Sequence, residues 1–406
     1  MTLKEVQNQY EGYPYPKRNP EDEKKRLLRT NFGNLDKLNG FFFKGKNIIN
    51  KNFRVLDAGC GTGDSTVFIA EQLKKVGATV TAIDFSEASL DIAKERCKIR
   101  GLTNIKFIEG SLLDLPKMDL EKFDYIISSG VLHHLKDPSE GLNALKSVLK
   151  DDGFISIMIY GKYGRTTVYM TQELMKLINQ NETDIQKKID NTKSIISSYG
   201  KKHWNTMNFL KDDKSMGDIG VYDLYLHSQD RAFSVKEFYD WVEGCELKLV
   251  HIYDQYNYDP KSYIKDEELL NKIKKSPVKD QMAISELING QIAKHSFIVS
   301  KRDVIKTNYL KEDPSKYCPI LFFVLGPNIL EKGERLQFNY ATNFEIPFTD
   351  FNKFMLKNID GKKTIKQLLD QVKIELDMTE EDVIEFWEYL AEKLISTDYL
   401  IFKRKE

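Results

Sequence analysis

The stretch Phe53–Asp64, FRVLDAGCGTGD, constrains the fold of this chain more than any other. It reads as a short apolar strand (Phe53, Val55, Leu56) that runs into an acid, Asp57, and then into glycines at alternate positions, Gly59, Gly61 and Gly63. A strand that ends in alternating glycines and opens directly into a helix makes a turn on which a ligand can lie against bare backbone. Val67, Phe68, Ile69, Ala70 and Leu73 follow as an apolar stripe at helical spacing.

Two cofactor classes use such a turn. A dinucleotide fingerprint has its third glycine three residues after the second, so that a pyrophosphate sits on the helix N-terminus. Asp64 stands at that position, and a carboxylate there is expected to repel a pyrophosphate; Asp57 adds a second negative charge. The expected occupant therefore carries positive charge and no phosphate, as S-adenosylmethionine does through its sulfonium and α-ammonium. Here the chain resembles the class I S-adenosylmethionine-dependent methyltransferases, whose D/E-x-G-x-G-x-G turn corresponds to Asp57–Gly63. Asp57, Gly59, Cys60, Gly61 and Gly63 are the expected cofactor contacts on this turn.

The next strand, ATVTAID, ends at Asp84, followed by Phe85 and Ser86. A carboxylate at a second strand tip can accept hydrogen bonds from both hydroxyls of a ribose. Asp84 could instead cap the following helix, but Ser86 suits that role better. Further strands begin near Ile105, Phe123 and Phe154, separated by helical patterns. This alternation predicts an α/β, Rossmann-like, doubly wound and mostly parallel sheet. Ligands in such sheets bind at the carboxyl ends of the strands. That rim gathers the glycine turn, Asp84, Ser111 with Leu112, and Ser129 with Gly130. Phe85 and Leu112 are expected to form the adenine slot. Similar methyltransferases usually have an acid at the position of Ser111, so the contact to the adenine amine departs from the family pattern.

SGVLHHLKDP is similar to the strand-end segment of class I small-molecule methyltransferases. His133 and His134 are adjacent, so in an extended segment only one can face the cleft. His133 is the candidate base or hydrogen-bonding group, and His134 a structural histidine. The [DNS]-P-P-[YF] motif of enzymes that methylate exocyclic base amines is replaced here by Ser129, Gly130, Val131 and Leu132, which argues against that activity.

Outside this core, residues 1–50 contain NQYEGYPYPKRNP, whose prolines prevent a continuous helix. By resemblance it is a lid that brings Tyr13 and Tyr15 to the site; packing on the domain surface is the alternative. Residues 161–233 and 254–290 are expected insertions beside the rim. They and the end of the preceding strand hold Tyr160, Arg165, Tyr169, His203, Trp204, Tyr222, His227, Asp230 and Arg231. Arg165 or Arg231 could hold an acidic substrate group, and Tyr160 or His227 could line the acceptor site. Asp230 with Arg231 reads otherwise as a surface ion pair of little energetic value.

A methyltransferase domain over residues 1–304 and a small α+β accessory domain over 305–406 are the expected division. Short strands, capped helices from Thr364 and Thr379, and a last strand in DYLIFK make the second loosely similar to a winged-helix domain. Some bacterial protein-lysine methyltransferases carry such a domain. Between Thr364 and Ile395 there are nine acidic and three basic residues, which is unsuited to a DNA groove and points to contact with protein or peptide, or to a homodimer.

Composition narrows the rest. Lysine plus arginine equals aspartate plus glutamate, 61 each, so bulk charge steers the chain to neither nucleic acid nor membrane. Four cysteines without a CxxC pair predict neither a zinc site nor a disulfide scaffold, and no metal is expected. With no signal-like start and no long apolar run, a cytoplasmic location is the expectation. The reading as a whole is methyl transfer from S-adenosylmethionine to an O, N, S or C acceptor, chiefly a small molecule. A protein-lysine methyltransferase and a non-catalytic S-adenosylmethionine-binding protein are the alternatives, and a dehydrogenase is disfavoured.

Overall fold

The computed structural model describes residues 7, 10–200, 217–304, 306–322, 335–337 and 345–405. His203 and Trp204 lie outside the described residues. In chain order the elements are α1 (Leu35–Phe42), β1 (Arg54–Ala58), α2 (Asp64–Lys74), β2 (Thr79–Asp84), α3 (Glu87–Ile99), β3 (Ile105–Glu109), β4 (Phe123–Ser129), α4 (Pro138–Ser147), β5 (Leu149–Gly161), α5 (Thr166–Ile178), α6 (Ile185–Ser198) and α7 (Asp218–Tyr225). They continue with β6 (Ala232–Phe233), α8 (Val235–Gly244), β7 (Lys248–Ile252), α9 (Glu267–Lys274), α10 (Val278–Asn289), β8 (Lys294–Ser300), β9 (Tyr317–Leu321), β10 (Arg335–Gln337) and β11 (Glu345–Pro347). The last are α11 (Asp350–Asn358), α12 (Ile365–Glu375), α13 (Glu380–Ser396) and β12 (Leu400–Arg404).

The chain divides into two compact units: residues 1–33, 49–251 and 286–303 form the first, and residues 34–48, 252–285 and 304–406 the second. This differs from a single boundary near residue 304. The 34–48 part of the expected lid and most of the 254–290 excursion cluster with the C-terminal residues. The reason is hydrophobic: α1 meets β12, where a side chain on Gly40 would lie 3.1 Å from Ile401, and Tyr256 joins the core of α11, α12 and α13.

An eight-stranded sheet in the order β3-β2-β1-β4-β5-β8-β7, with β6 beside β5, forms the first unit's centre. β1 pairs in parallel with β2 and β4, and β5 pairs antiparallel with β8 from Phe154–Ser300 to Tyr160–Lys294. Val55, Leu56, Asp57 and Ala58 are all buried, as expected of a central parallel strand covered on both faces. The path runs from β1 outward to β3 and returns to β4 on the other side. The crevice beyond the carboxyl ends of β1 and β4 is thus a topological switch point, where open α/β sheets bind ligands. After β5, the helices α5, α6 and α7 share a small core of Val168, Ile189, Val221, Leu224 and Tyr225, with Tyr13 packed against it.

The second unit has its own core, built mainly by Phe351, Met355, Leu368, Val372, Trp387, Leu390 and Phe402. Thr364 forms a full capping box with Gln367, and Thr379 caps α13 through the Asp382 N–H. β9 and β12 form an antiparallel pair, as do β10 and β11.

In the first unit, a buried ion network ties α2 and α3 to the N-terminal arm. Arg96 is almost wholly buried and pairs with Glu23 and with Asp64, each at 2.8 Å. Arg100 also reaches Glu23, at 2.7 Å. Without Arg96 the buried Glu23 would keep only Arg100 and Asp64 only Arg18, and loss of one partner from a buried ion network costs a few kcal/mol. Arg96→Met is therefore expected to destabilise the first unit by about 3 kcal/mol, read as a lower urea midpoint at unchanged slope.

Candidate active site

The glycine turn is covered. Gly61 has φ +52°, and a Cβ there would lie 2.6 Å from the Tyr15 carbonyl oxygen, so only glycine fits under the arm. Thr62 Oγ1 donates to the Pro16 carbonyl at 2.8 Å. The arm continues the same contact upstream: Ser86 Oγ donates to the Tyr10 carbonyl, and the Glu11 carboxylate accepts the Glu87 and Ala88 N–H groups at the start of α3. A carboxylate at a helix N-terminus satisfies donors that the helix leaves free.

Asp84 holds this turn as well as facing the rim. Its Oδ2 accepts the Gly61 N–H at 2.7 Å and its Oδ1 the Ser86 N–H at 3.0 Å. Burial pushes its carboxyl up from the usual range, against the pull of these backbone hydrogen bonds. Asp57 accepts from Thr66 Oγ1 at 2.6 Å, and burial pushes its pKa up to about 7. Cys60 packs beside Ala82 and Leu90, and its thiol donates to the Gly61 carbonyl at 3.7 Å. Ser111 caps the 3-10 turn Leu112–Lys117 through the Leu113 N–H. Phe85 is half-buried, Leu112 is buried, and Ser129 and Gly130 are more open at the end of β4.

Asp64 corrects the sequence-based electrostatic argument. Its carboxylate is held by Arg18 Nε at 2.8 Å and Nη2 at 2.6 Å and by Arg96 Nη1 at 2.8 Å. Two guanidiniums hold its pKa down against burial, and they neutralise the charge that was expected to repel a pyrophosphate. The partly protonated Asp57 weakens the argument further.

Beyond β4 and β5 lies a cluster of aromatic and charged side chains. Leu132–His134 forms a 3-10 turn rather than an extended segment, so both histidines turn inward, with ring centroids 4.1 Å apart. The expectation that only one of them faces the cleft is thereby corrected. Tyr160 packs on His133 at 3.9 Å, and the Arg165 guanidinium lies 3.5 Å from the Tyr160 ring centre. On the other side, His134 stacks on His227 at 3.9 Å.

The hydrogen bonds fix several protons. His134 Nδ1 donates to the Gln229 carbonyl at 2.8 Å, since a carbonyl can only accept. The Gln229 N–H donates to His227 Nδ1 at 3.0 Å, leaving the proton of the neutral ring on Nε2. Burial lowers the pKa of all three histidines, well below the ordinary value for His133 and His227, so they are neutral. Both ring nitrogens of fully buried His133 lack a hydrogen-bond partner among the described residues.

Asp230 is buried and pairs with Arg165 at 3.7 Å, while accepting from Tyr169 and Gln172, each at 3.2 Å. The Asp230–Arg231 surface pair does not form. Arg231 is exposed and lies over the Phe233 ring, away from the cluster, and only its backbone N–H touches His133, through the carbonyl. Tyr13 packs edge-on against Tyr222 and belongs to the α5–α7 layer. His133, His134 and Asp230 could bring ligand atoms within 4.8 Å of one another, as a metal would need. The hydrogen bonds and the Arg165 cation already engage the Asp230 carboxylate, which disfavours a dication there. Sequence reasoning missed Asp223 and Gln172, which carry no motif and reach the cluster only through the fold, whereas Tyr10 was among the aromatics of the expected lid.

A family model for a methyltransferase domain matches residues 49–212. An uncharacterized protein of Synechococcus sp. is 30% identical over 64% of this chain and 63% of its own length. A demethylmenaquinone methyltransferase of Staphylococcus aureus is 37% identical over 26% of this chain and 43% of its own. The chain thus spans less than two thirds of these relatives. PKMT2 of Rickettsia typhi, solved in complex with AdoHcy, superposes with a TM-score of 0.67 over 92% of this chain and 76% of that one, at 17% identity. Residues 49–212 thus match a methyltransferase domain, and the chain shares the fold of PKMT2. No helix among the described residues is long and apolar enough to cross a membrane.

Asp57 provides a test that needs no ligand. A carboxyl protonated up to about pH 7 when folded, but only to about 3.9 when unfolded, favours folding at low pH. That contribution is lost as pH rises through 7. Measured by urea denaturation between pH 4 and 8, the wild type should lose stability relative to Asp57→Asn as the pH increases.

Proposed function

We propose that this chain transfers the methyl group of S-adenosylmethionine to an acceptor that meets His133, and that the acceptor is a small molecule. The observation that carries the reading is the fully buried, neutral and unpartnered His133 ring, beyond the same strand ends as the covered glycine turn. The residues near the turn fit the cofactor: Asp84 suits a ribose, and Phe85 and Leu112 are apolar neighbours for an adenine. Bound there, S-adenosylmethionine supplies an electrophilic methyl on a sulfonium.

Methyl transfer is an in-line displacement, so the protein mainly orients the acceptor; in the best cases orientation lowers a barrier by roughly 7–11 kcal/mol. The Tyr160 and His134 rings fix the His133 plane. A neutral His133 can take a proton from an O–H, N–H or S–H acceptor as the new bond forms. Arg165 lies against Tyr160 and is paired with Asp230, which leaves little net charge on this side and favours a neutral acceptor. Tyr15 lies on the arm over the cofactor turn, whereas the exposed Arg231 is not assigned a substrate role.

A protein substrate is the second reading. It is supported by the fold likeness to PKMT2 across both units and by the surface of α13, where exposed Ile384, Phe386 and Tyr389 alternate with Glu385 and Glu388. Such a surface suits contact with protein, including a second copy of the chain. Four free, buried cysteines support a reducing, cytoplasmic setting.

Calorimetry should show S-adenosylmethionine and S-adenosylhomocysteine binding and no NAD binding. Asp84→Ala should weaken S-adenosylmethionine about tenfold or more, and lower stability too because the Gly61 N–H loses its acceptor. Labelled methyl donor incubated with cell extract should yield a labelled metabolite, and His133→Ala should slow its formation about 100-fold. Label appearing only in protein would replace the first reading with the second, and tight NAD binding would end both.

A further inference from the structure

We propose that Tyr10 is a positioning residue of the acceptor site, supplied by the N-terminal arm, and that seating of the arm on the cofactor turn thereby orders His227. The inference rests on the methyltransferase reading above and adds a link between the two halves of the site.

The geometry is a directed chain of hydrogen bonds. His227 Nδ1 accepts from the Gln229 N–H, so the ring proton is on Nε2, which lies 3.2 Å from the Tyr10 hydroxyl. The Tyr10 hydroxyl lies 3.2 Å from Asp223 Oδ1 and donates to it, because a carboxylate can only accept. The phenol oxygen is then left to accept from His227 Nε2–H. Burial and the Asp223 charge both push the Tyr10 pKa well up, so the phenol keeps the proton this chain requires.

His227 in turn stacks on His134, and His134 lies against His133. Each ring is buried, so its neighbours decide its orientation.

Tyr10 is also fastened to the cofactor side. Its carbonyl accepts from Ser86 Oγ, and its ring packs edge-on against Phe85 at 6.1 Å. Further along the same arm, Tyr15 covers Gly61 and Arg18 grips Asp64. An arm lifted from the turn would withdraw the Tyr10 hydroxyl, and the buried His227 Nε2–H would lose its acceptor. Occupancy of the turn and order among the three histidines are therefore coupled, and linkage requires the coupling to act in both directions.

The test uses the full chain and S-adenosylhomocysteine as the probe. The His227 Nε2–H proton, assigned by its loss in His227→Gln, is followed by NMR together with its exchange with water. Adding S-adenosylhomocysteine to the wild type should slow that exchange about tenfold or more. In Tyr10→Phe, which keeps the ring, the probe should still bind within about threefold of the wild type, but the protection should be absent. Asp223→Asn, which keeps the Tyr10 ring and weakens its hydroxyl's acceptor, should show an intermediate loss.

A His227 proton equally protected in wild type and Tyr10→Phe would overturn the inference while leaving the methyltransferase reading intact. Failure of the wild type to bind S-adenosylhomocysteine would remove the reading and the inference together.

Discussion

The site depends on one buried guanidinium. Arg96 reaches from α3 to Glu23 on the arm side and to Asp64 at the start of α2, so it joins two helices of the sheet's flank to the segment that covers the cofactor turn. Arg18 completes the link from the arm itself. Charges this deeply buried gain little net stability over apolar packing of the same volume, but they are intolerant of a missing partner. Their effect here is to specify one position for the arm, with the Tyr15 carbonyl directly above Gly61.

From that position the two halves of the site follow different physical rules. Around the glycine turn, backbone groups and carboxylates dominate, with Asp84 holding the turn and burial raising the Asp57 pKa to about 7. Around the histidines, flat side chains are layered: guanidinium, phenol and then three imidazoles. Burial keeps those imidazoles neutral, while Asp230 and Arg165 balance each other's charge. A neutral imidazole can accept a proton, and an imidazolium cannot, so desolvation leaves His133 in the form able to take one.

Much of this was legible in the residues. Alternating glycines after an apolar strand, an acid at the next strand tip, and regular alternation of strands and helices marked out the sheet, with the glycine turn and Asp84 at its strand ends. What could not be read was anything set by long-range approach. Asp64 looked like a free charge because its partners, Arg18 and Arg96, lie 46 and 32 positions away. Asp230 looked bound to its neighbour Arg231, yet the fold buries it against Arg165. His133 and His134 looked opposed because an extended backbone was assumed, and the 3-10 turn reversed that. In each case local spacing was read correctly, but tertiary contact chose the partner.

The interleaving of the two units in sequence limits how the chain can be dissected. Residues 34–48 and 252–285 are flanked by stretches of the first unit yet pack with residues 304–406. Trimming everything after residue 303 would strip α1 of its β12 contact and leave apolar surface of both internal segments without cover. A shortened chain that loses activity would thus report on misfolding as readily as on a role for the C-terminal region. Point changes on the outer face of α13 leave the inner core intact, and they are the cleaner way to ask what that region does.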